Sequence, residues 1–308
     1  MVVIGRVPDH PSPTVRARWQ FLPFSHCNAV PLGPKSRRRL VIANRLLFVF
    51  HASLALAVCV ADTEWNLRVP LYRTSLEWNI SSGLLQPSYV ESGGLYLTQL
   101  TCAFFLLSAF FHLGAGFLWS KIYLTCIEHA ACPFRWIEYF FSASIMFAVI
   151  AYPCGVLGFE LLLACLALVA TTMLFGLLTE WVARPVDADN WNHPVLTRLT
   201  PHLLGYFPQV SAWALLLIIF GYNTSSGDRA PPDFVYAIVA SELVFFFSFG
   251  AVQFVQVLRP PSWYVRGEYW YQALSLLSKG VLGIVLITQV LFYSNYSCVL
   301  DNSGTECI

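Results

Sequence analysis

The stretch WYQALSLLSKGVLGIVLITQVLFYS, Trp270–Ser294, decides the fold. It is long and apolar enough to form one helix across a bilayer, whose hydrocarbon core takes roughly 20 residues. Its one cation, Lys279, lies well inside it. Working outward, six further apolar runs lie at approximately 40–60, 96–120, 136–157, 160–182, 203–222 and 234–257. None alternates polar with apolar residues as the strands of a membrane barrel do. Composition agrees: 57% of residues are hydrophobic and 11% charged, whereas a soluble domain carries about 25% charged residues. The predicted class is an all-α, multi-pass membrane protein, a seven-transmembrane-helix bundle in a plasma or organellar membrane. A net charge of +1 shows no excess that would attract nucleic acid. The nine cysteines form no C-x-x-C pair, which excludes a conventional zinc or thioredoxin motif. With no hydrolytic triad or phosphate-binding glycine loop in sight, no enzymatic activity is expected.

Orientation follows from the lysine and arginine bias. Fourteen of the eighteen cations lie before span one, at its start, or in the 2–3, 4–5 and 6–7 loops. Only Arg68, Arg73 and Arg229 fall on the other side. This predicts a cytoplasmic N-terminus and an external C-terminus. The sequons at Asn79, Asn223 and Asn295 all fall on the predicted external side. So do Cys298 and Cys307, which could pair there. Residues 1–39 are basic and proline-rich and read as a disordered cytoplasmic tail, with an organellar transit peptide as the alternative. Residues 40–294 form the membrane domain and 295–308 a short external tail. Between spans one and two, alternating pieces of Ala61–Gly94 predict an external β-hairpin.

Charge at bilayer depth costs roughly 2.5–3.5 kcal/mol on insertion scales, and such residues as a rule face the bundle interior. Lys279 is about nine residues into span seven, roughly 13 Å, too deep for easy escape to the headgroups. It is either a structural ion-pair partner or an amine used covalently, since a desolvated amine is nucleophilic toward an aldehyde. Glu138, one turn into span three, is its expected partner at similar depth. His112 and Ser108 share a face of span two, and His51 lies near the middle of span one; the two histidines read as core residues or as proton acceptors. Ser275 precedes Lys279 by one turn. Glu242 in span six has no neutralising neighbour in sequence and reads as a hydrogen-bonded structural acid or as a station on an external proton path. Glu160 and Glu180 sit at span ends, where solvent is expected, with Glu180 placed to pair with Arg184 at i+4.

Four separated motifs carry a resemblance: Leu106-Leu-Ser-Ala-Phe-Phe-His112, Arg135-Trp-Ile-Glu-Tyr139, Met173-Leu-Phe-Gly-Leu-Leu-Thr-Glu180 and Ser275-Leu-Leu-Ser-Lys279. With the inward N-terminus, they make the chain resemble the heliorhodopsins, retinal proteins of inverted topology among microbial rhodopsins. The resemblance implies covalently bound all-trans-retinal on Lys279 as a Schiff base, with Glu138 as counterion. It further implies Ser275 and Ser108 beside the Schiff base, His51 and His112 in an adjoining polar cavity, and a homodimer. Met173, Phe175 and Phe247 are compatible with a polyene pocket.

A pump needs a second carboxylate to move a proton onward, and Ser275 stands at i−4 from Lys279 where ion pumps of the resembled kind carry Asp. Serine is no stable proton acceptor. The expected function is therefore a non-pumping light sensor that signals to a cytoplasmic partner of unknown identity. The alternative is a light-gated passive proton channel using Glu242. A further alternative is a non-photochemical seven-helix receptor or transporter in which Lys279–Glu138 is only an ion pair.

Overall fold

The computed structural model describes residues 30, 32–65, 68–226 and 231–291. The sequon at Asn295, the Cys298 and Cys307 thiols, Arg229 and most of the N-terminal segment lie outside the described residues. Helix α1 spans Pro34–Trp65, followed by strands β1 (Arg68–Asn79) and β2 (Leu84–Tyr96). Helix α2 (Leu97–Leu113) runs on into a π-helical turn, Gly114–Leu118, and a short helix α3 (Ser120–Glu128). Then come α4 (Pro133–Ala151), α5 (Phe159–Val182), α6 (Val195–Ser226), α7 (Asp233–Leu258) and α8 (Tyr264–Val285). Seven of these helices are long and apolar enough to cross a membrane, all except α3. This is an integral multi-pass membrane protein.

The membrane helices close into a ring, because each packs on its neighbour in sequence and α8 packs back on α1. Outward faces of α5 and α6 expose Leu163, Leu174, Leu203, Phe207 and Ile218. Such an apolar exterior suits lipid and would be costly in water. Inside, α4 is the most enclosed helix, with Met146 to Ala151 all buried toward its hairpin end. Gly155 follows with φ +97°, a left-handed conformation that glycine adopts without strain. That turn brings α5 back antiparallel to α4. The short interval between the runs at 136–157 and 160–182 is thus a turn, and α4 ends six residues before the predicted 157.

The hairpin between α1 and α2 is present as a two-stranded antiparallel pair. Its tip is an Asx turn in which the Asn79 side-chain oxygen accepts from the Ser81 and Ser82 amides. At its root Leu71 is buried, Tyr72 N donates to Leu157 O at 3.0 Å, and Arg73 pairs with Glu160 at 3.3 Å. A disulfide, Cys59–Cys102, joins α1 to α2 at the same end. Neither bond nor partner was apparent from the scattered cysteine spacing.

Two of the helix starts that differ from the sequence reading are those of α1 and α6. Helix α1 begins at Pro34, a residue whose fixed φ suits the first helical position, so Lys35–Arg39 form its opening turns rather than a tail. Helix α6 begins at Val195 and carries Pro201 and Pro208 within it, so its polar, proline-bearing start was hidden from a hydropathy count. On α5, Gly176 allows close approach to α4. A Cβ there would stand 2.1 Å from the Trp136 ring. Gly176→Ala is therefore expected to lower stability by about 1–3 kcal/mol through overpacking, read as a lower thermal midpoint in detergent. Gly221→Ala, with nothing within 4 Å of the added methyl, is the matched control.

Candidate functional site

Lys279 stands fifteen residues into α8, about 22 Å along the helix at 1.5 Å per residue. It is deeper than predicted because α8 starts at Tyr264 rather than near residue 270. Its side chain is 4% exposed. Nζ donates to Glu138 Oε1 at 2.5 Å and to Ser108 Oγ at 2.6 Å, and lies 5.2 Å from the Tyr139 ring centroid. Ser108 Oγ in turn donates to Phe104 O at 3.0 Å. Helices α2, α4 and α8 thus meet at one ammonium. Ser275 Oγ is buried beside this cluster in sequence but has no hydrogen-bond partner. The second oxygen on Lys279 comes from α2 instead.

His51 and His112 stack with ring centroids 5.2 Å apart and 16° between planes. His51 Nδ1 contacts Leu47 O at 2.8 Å, and a carbonyl only accepts, so this nitrogen carries the hydrogen. Asn44 Nδ2 donates to Leu40 O at 2.9 Å, which turns Asn44 Oδ1 toward His112 Nδ1 at 2.8 Å. His112 therefore also carries its hydrogen on Nδ1. Both Nε2 atoms are left as buried lone-pair acceptors without partners. The pair is chemically able to receive a proton.

A cavity opens on Lys279 from the other side. Trp136, Tyr139, Phe246 and Phe249 line it, with Met146 and Met173, and Tyr206 and Gly205 on α6. Phe247 does not line the cavity but stacks behind it on Tyr206, at 6.3 Å. Phe246 and Phe249, one residue before and two after, face inward instead. Gly176, Gly205 and Gly250 line the same space. A methyl on Gly205 would meet Phe175 at 2.9 Å, and one on Gly250 would meet the Tyr206 hydroxyl at 2.7 Å. The space is a slot between aromatic rings that ends at an amine.

A model of the heliorhodopsin family matches residues 40–291. The chain belongs to the heliorhodopsin family. Among solved structures it is similar to the light-driven proton pump LR (Mac) from Leptosphaeria maculans, with a TM-score of 0.58 and 11% identity, covering 86% of this chain and 98% of that one. At that identity the likeness speaks for the fold alone. A comparison with curated proteins gives no match. Membership in the heliorhodopsins implies a retinal chromophore, and the residues present fit one: an aromatic slot with a buried amine at one end.

Glu242 is fully buried, and Ser278, which lines the cavity next to Lys279, donates to its Oε2 at 2.7 Å. Its Oε1 has no partner. Glu160 is exposed and pairs with Arg73. Glu180 overturns its expectation: it is buried, and its partner is Arg135 on α4, not Arg184. The Arg184 side chain turns back to Trp181 O at 2.9 Å. Arg135 also pairs with Glu268 on α8, and its guanidinium lies 3.8 Å from the Tyr271 ring centroid. Tyr264 OH donates to Glu180 Oε1 at 2.9 Å, Tyr123 OH to Glu268 Oε1 at 2.9 Å, and Cys132 N to Glu180 Oε2 at 2.8 Å.

This second ion cluster escaped the sequence reading. Arg135 looked like a loop cation, and Glu268 lay before the apolar run counted as span seven. The usable signal was the spacing of Arg135 and Glu138, one turn apart on the same helix. A polar cavity, lined by His112, Asn44, Tyr123, Glu138 and Arg135, joins the two clusters. Arg135→Met should destabilise the bundle by about 3–5 kcal/mol, because two buried carboxylates lose their counter-charge. A thermal melt checks this, and the triple variant Arg135→Met, Glu180→Gln, Glu268→Gln should regain part of the loss.

Proposed function

We propose that this heliorhodopsin is a light sensor in which all-trans-retinal is joined to the Lys279 amine, with Glu138 as counterion and no ion pumping. The observation that carries the reading is the buried Lys279 ammonium at the end of an aromatic slot, with Glu138 as its carboxylate and Ser275 in place of an acid one turn before. When bound, the retinal supplies visible absorption and a double bond that isomerises in light.

The remaining work falls to the chain's own groups. Glu138 stabilises positive charge at Nζ; the free ammonium donates to both Glu138 and Ser108, and the single N–H left after attachment has these two oxygens as its acceptors. A proton leaving Nζ has acceptors close by in the Nε2 lone pairs of His51 and His112. Protonating either ring beside Glu138 keeps the net charge of the cluster unchanged, so the proton can be held and then returned. Storage without transfer is what a sensor needs. Its slow readout would be a shift of α4 and α8, which carry both clusters, felt by a partner at the arginine-rich face.

We place that face in the cytoplasm and the hairpin outside. The cation bias supports this, and the Cys59–Cys102 bond lies at the hairpin end, where an oxidising compartment would favour it. The sequon nitrogen of Asn223 donates to Cys154 O at 3.0 Å in a part-buried setting, whereas that of Asn79 donates to Gln86 Oε1 at 2.8 Å on the exposed hairpin. Asn79 is the sequon we expect to be used, in a homodimeric receptor.

A passive, light-gated proton conductor is the second reading. The Ser278–Glu242 hydrogen bond favours it, because it sets a buried acid one residue from Lys279. Two measurements separate the possibilities. Lys279→Ala should abolish the visible band that the unaltered protein forms with all-trans-retinal; no band in either protein would sink both readings. Glu138→Gln should shift the band strongly or send it toward the ultraviolet, and an unchanged spectrum would remove Glu138 as counterion. In voltage-clamped cells the sensor passes no photocurrent. A photocurrent abolished by Glu242→Gln would instead establish the conductor.

A further inference from the structure

One face of α6 presents His202, Gly205, Tyr206 and Gln209 to the cavity, at i, i+3, i+4 and i+7. Helix α6 is separated from α8 around the ring by α7, so this face belongs to the wall away from Lys279. Two atoms on it are buried without partners, His202 Nε2 and Gln209 Oε1. His202 and Gln209 are 5% and 4% exposed. An unpaired buried acceptor is destabilising unless something serves it. Gly205, between them, leaves its backbone bare, with Phe175 packed 2.9 Å from where a Cβ would stand.

Which hydrogen His202 lacks is determined by its neighbours. Gln253 Nε2 donates to Gly176 O at 2.8 Å. A backbone carbonyl only accepts, so the Gln253 amide is oriented with Oε1 toward His202 Nδ1, at 2.9 Å. Nδ1 must then be the protonated nitrogen, and Nε2 is an acceptor. The unsubstituted ring of retinal is pure hydrocarbon and offers it nothing. A ketone oxygen has lone pairs only and meets another lone pair. A hydroxyl can donate.

We propose that the α6 wall recognises a hydroxyl group on the chromophore ring, with His202 Nε2 as the acceptor, so that the preferred ligand is a ring-hydroxylated retinal. This rests on the retinal-binding reading above. The slot would then hold an apolar polyene between Trp136, Tyr139 and Phe249 while a single polar contact selects among rings. Selection by one buried hydrogen bond is chemically sharp, because the ligand lacking it leaves the acceptor unpaired.

The test supplies retinal-free protein with equimolar mixtures of all-trans-retinal and one competitor: its 3-hydroxy, 4-hydroxy or 4-keto analogue. Bound aldehydes are released with hydroxylamine and counted by chromatography. One hydroxylated analogue should be enriched about three- to tenfold over retinal, the net worth of one buried hydrogen bond, and the ketone should not. His202→Phe should bring that ratio to about one, since no acceptor remains. His202→Gln, whose amide both donates and accepts, should admit the ketone as well. Equal uptake of all aldehydes by the unaltered protein would overturn the proposal and leave retinal binding standing, as would enrichment that survives in His202→Phe. Failure to take up any aldehyde would overturn both.

Discussion

An ammonium and a carboxylate in an apolar bundle are tolerable only while they face each other. Desolvating either ion alone is expensive, and their mutual attraction repays this only when the remaining hydrogen-bonding capacity is also satisfied. Lys279 and Glu138 meet that condition through Ser108, whose own hydrogen goes to the α2 backbone. Three helices must therefore hold their rotations about their own axes together. A turn of α8 by one residue would swing Lys279 through about 100° and strand both charges. The same constraint makes the pair useful, since any event that changes charge at Nζ is felt at once by α2, α4 and α8.

Helix α4 carries that influence to a second level. Arg135 and Glu138 lie one turn apart on it, and each is the centre of a buried ion cluster. Arg135 reaches α5 through Glu180 and α8 through Glu268, with Tyr264, Tyr123 and the Cys132 amide supplying further hydrogen bonds to the two carboxylates. Two helices, α4 and α8, thus share both clusters. A displacement of one relative to the other must strain either the Lys279–Glu138 contact or the Arg135 contacts. Coupling of that kind needs no long pathway, only two rigid helices tied at two heights.

The side chains that wall the slot are seated by omission as much as by shape. Gly176, Gly205 and Gly250 stand on three successive helices, each where a methyl group would press on a ring or hydroxyl. The aromatic walls come from α4, α6 and α7. The lipid-facing sides of the same helices are Leu- and Phe-rich without such precision. Close packing is specified where it faces the slot and relaxed where it faces the bilayer.

Seven spans, their approximate limits and the hairpin were legible in the sequence because hydropathy and alternation are local properties, set by neighbouring residues. The Lys279–Glu138 pairing was legible for a different reason: charges in an apolar bundle have few places to go, and depth alone nearly matched them. Span starts at Pro34 and Val195 were not, because polar turns that extend a helix beyond the hydrocarbon look like loop. Arg135 with Glu180 and Glu268, the choice of Ser108 and not Ser275 as the hydroxyl bonded to the ammonium, the inward Phe246 and Phe249 in place of Phe247, and the Cys59–Cys102 bond were decided only by the tertiary structure. Each depends on the rotation of one helix against another. That rotation is set by packing summed over the whole ring, and no single segment of sequence contains it.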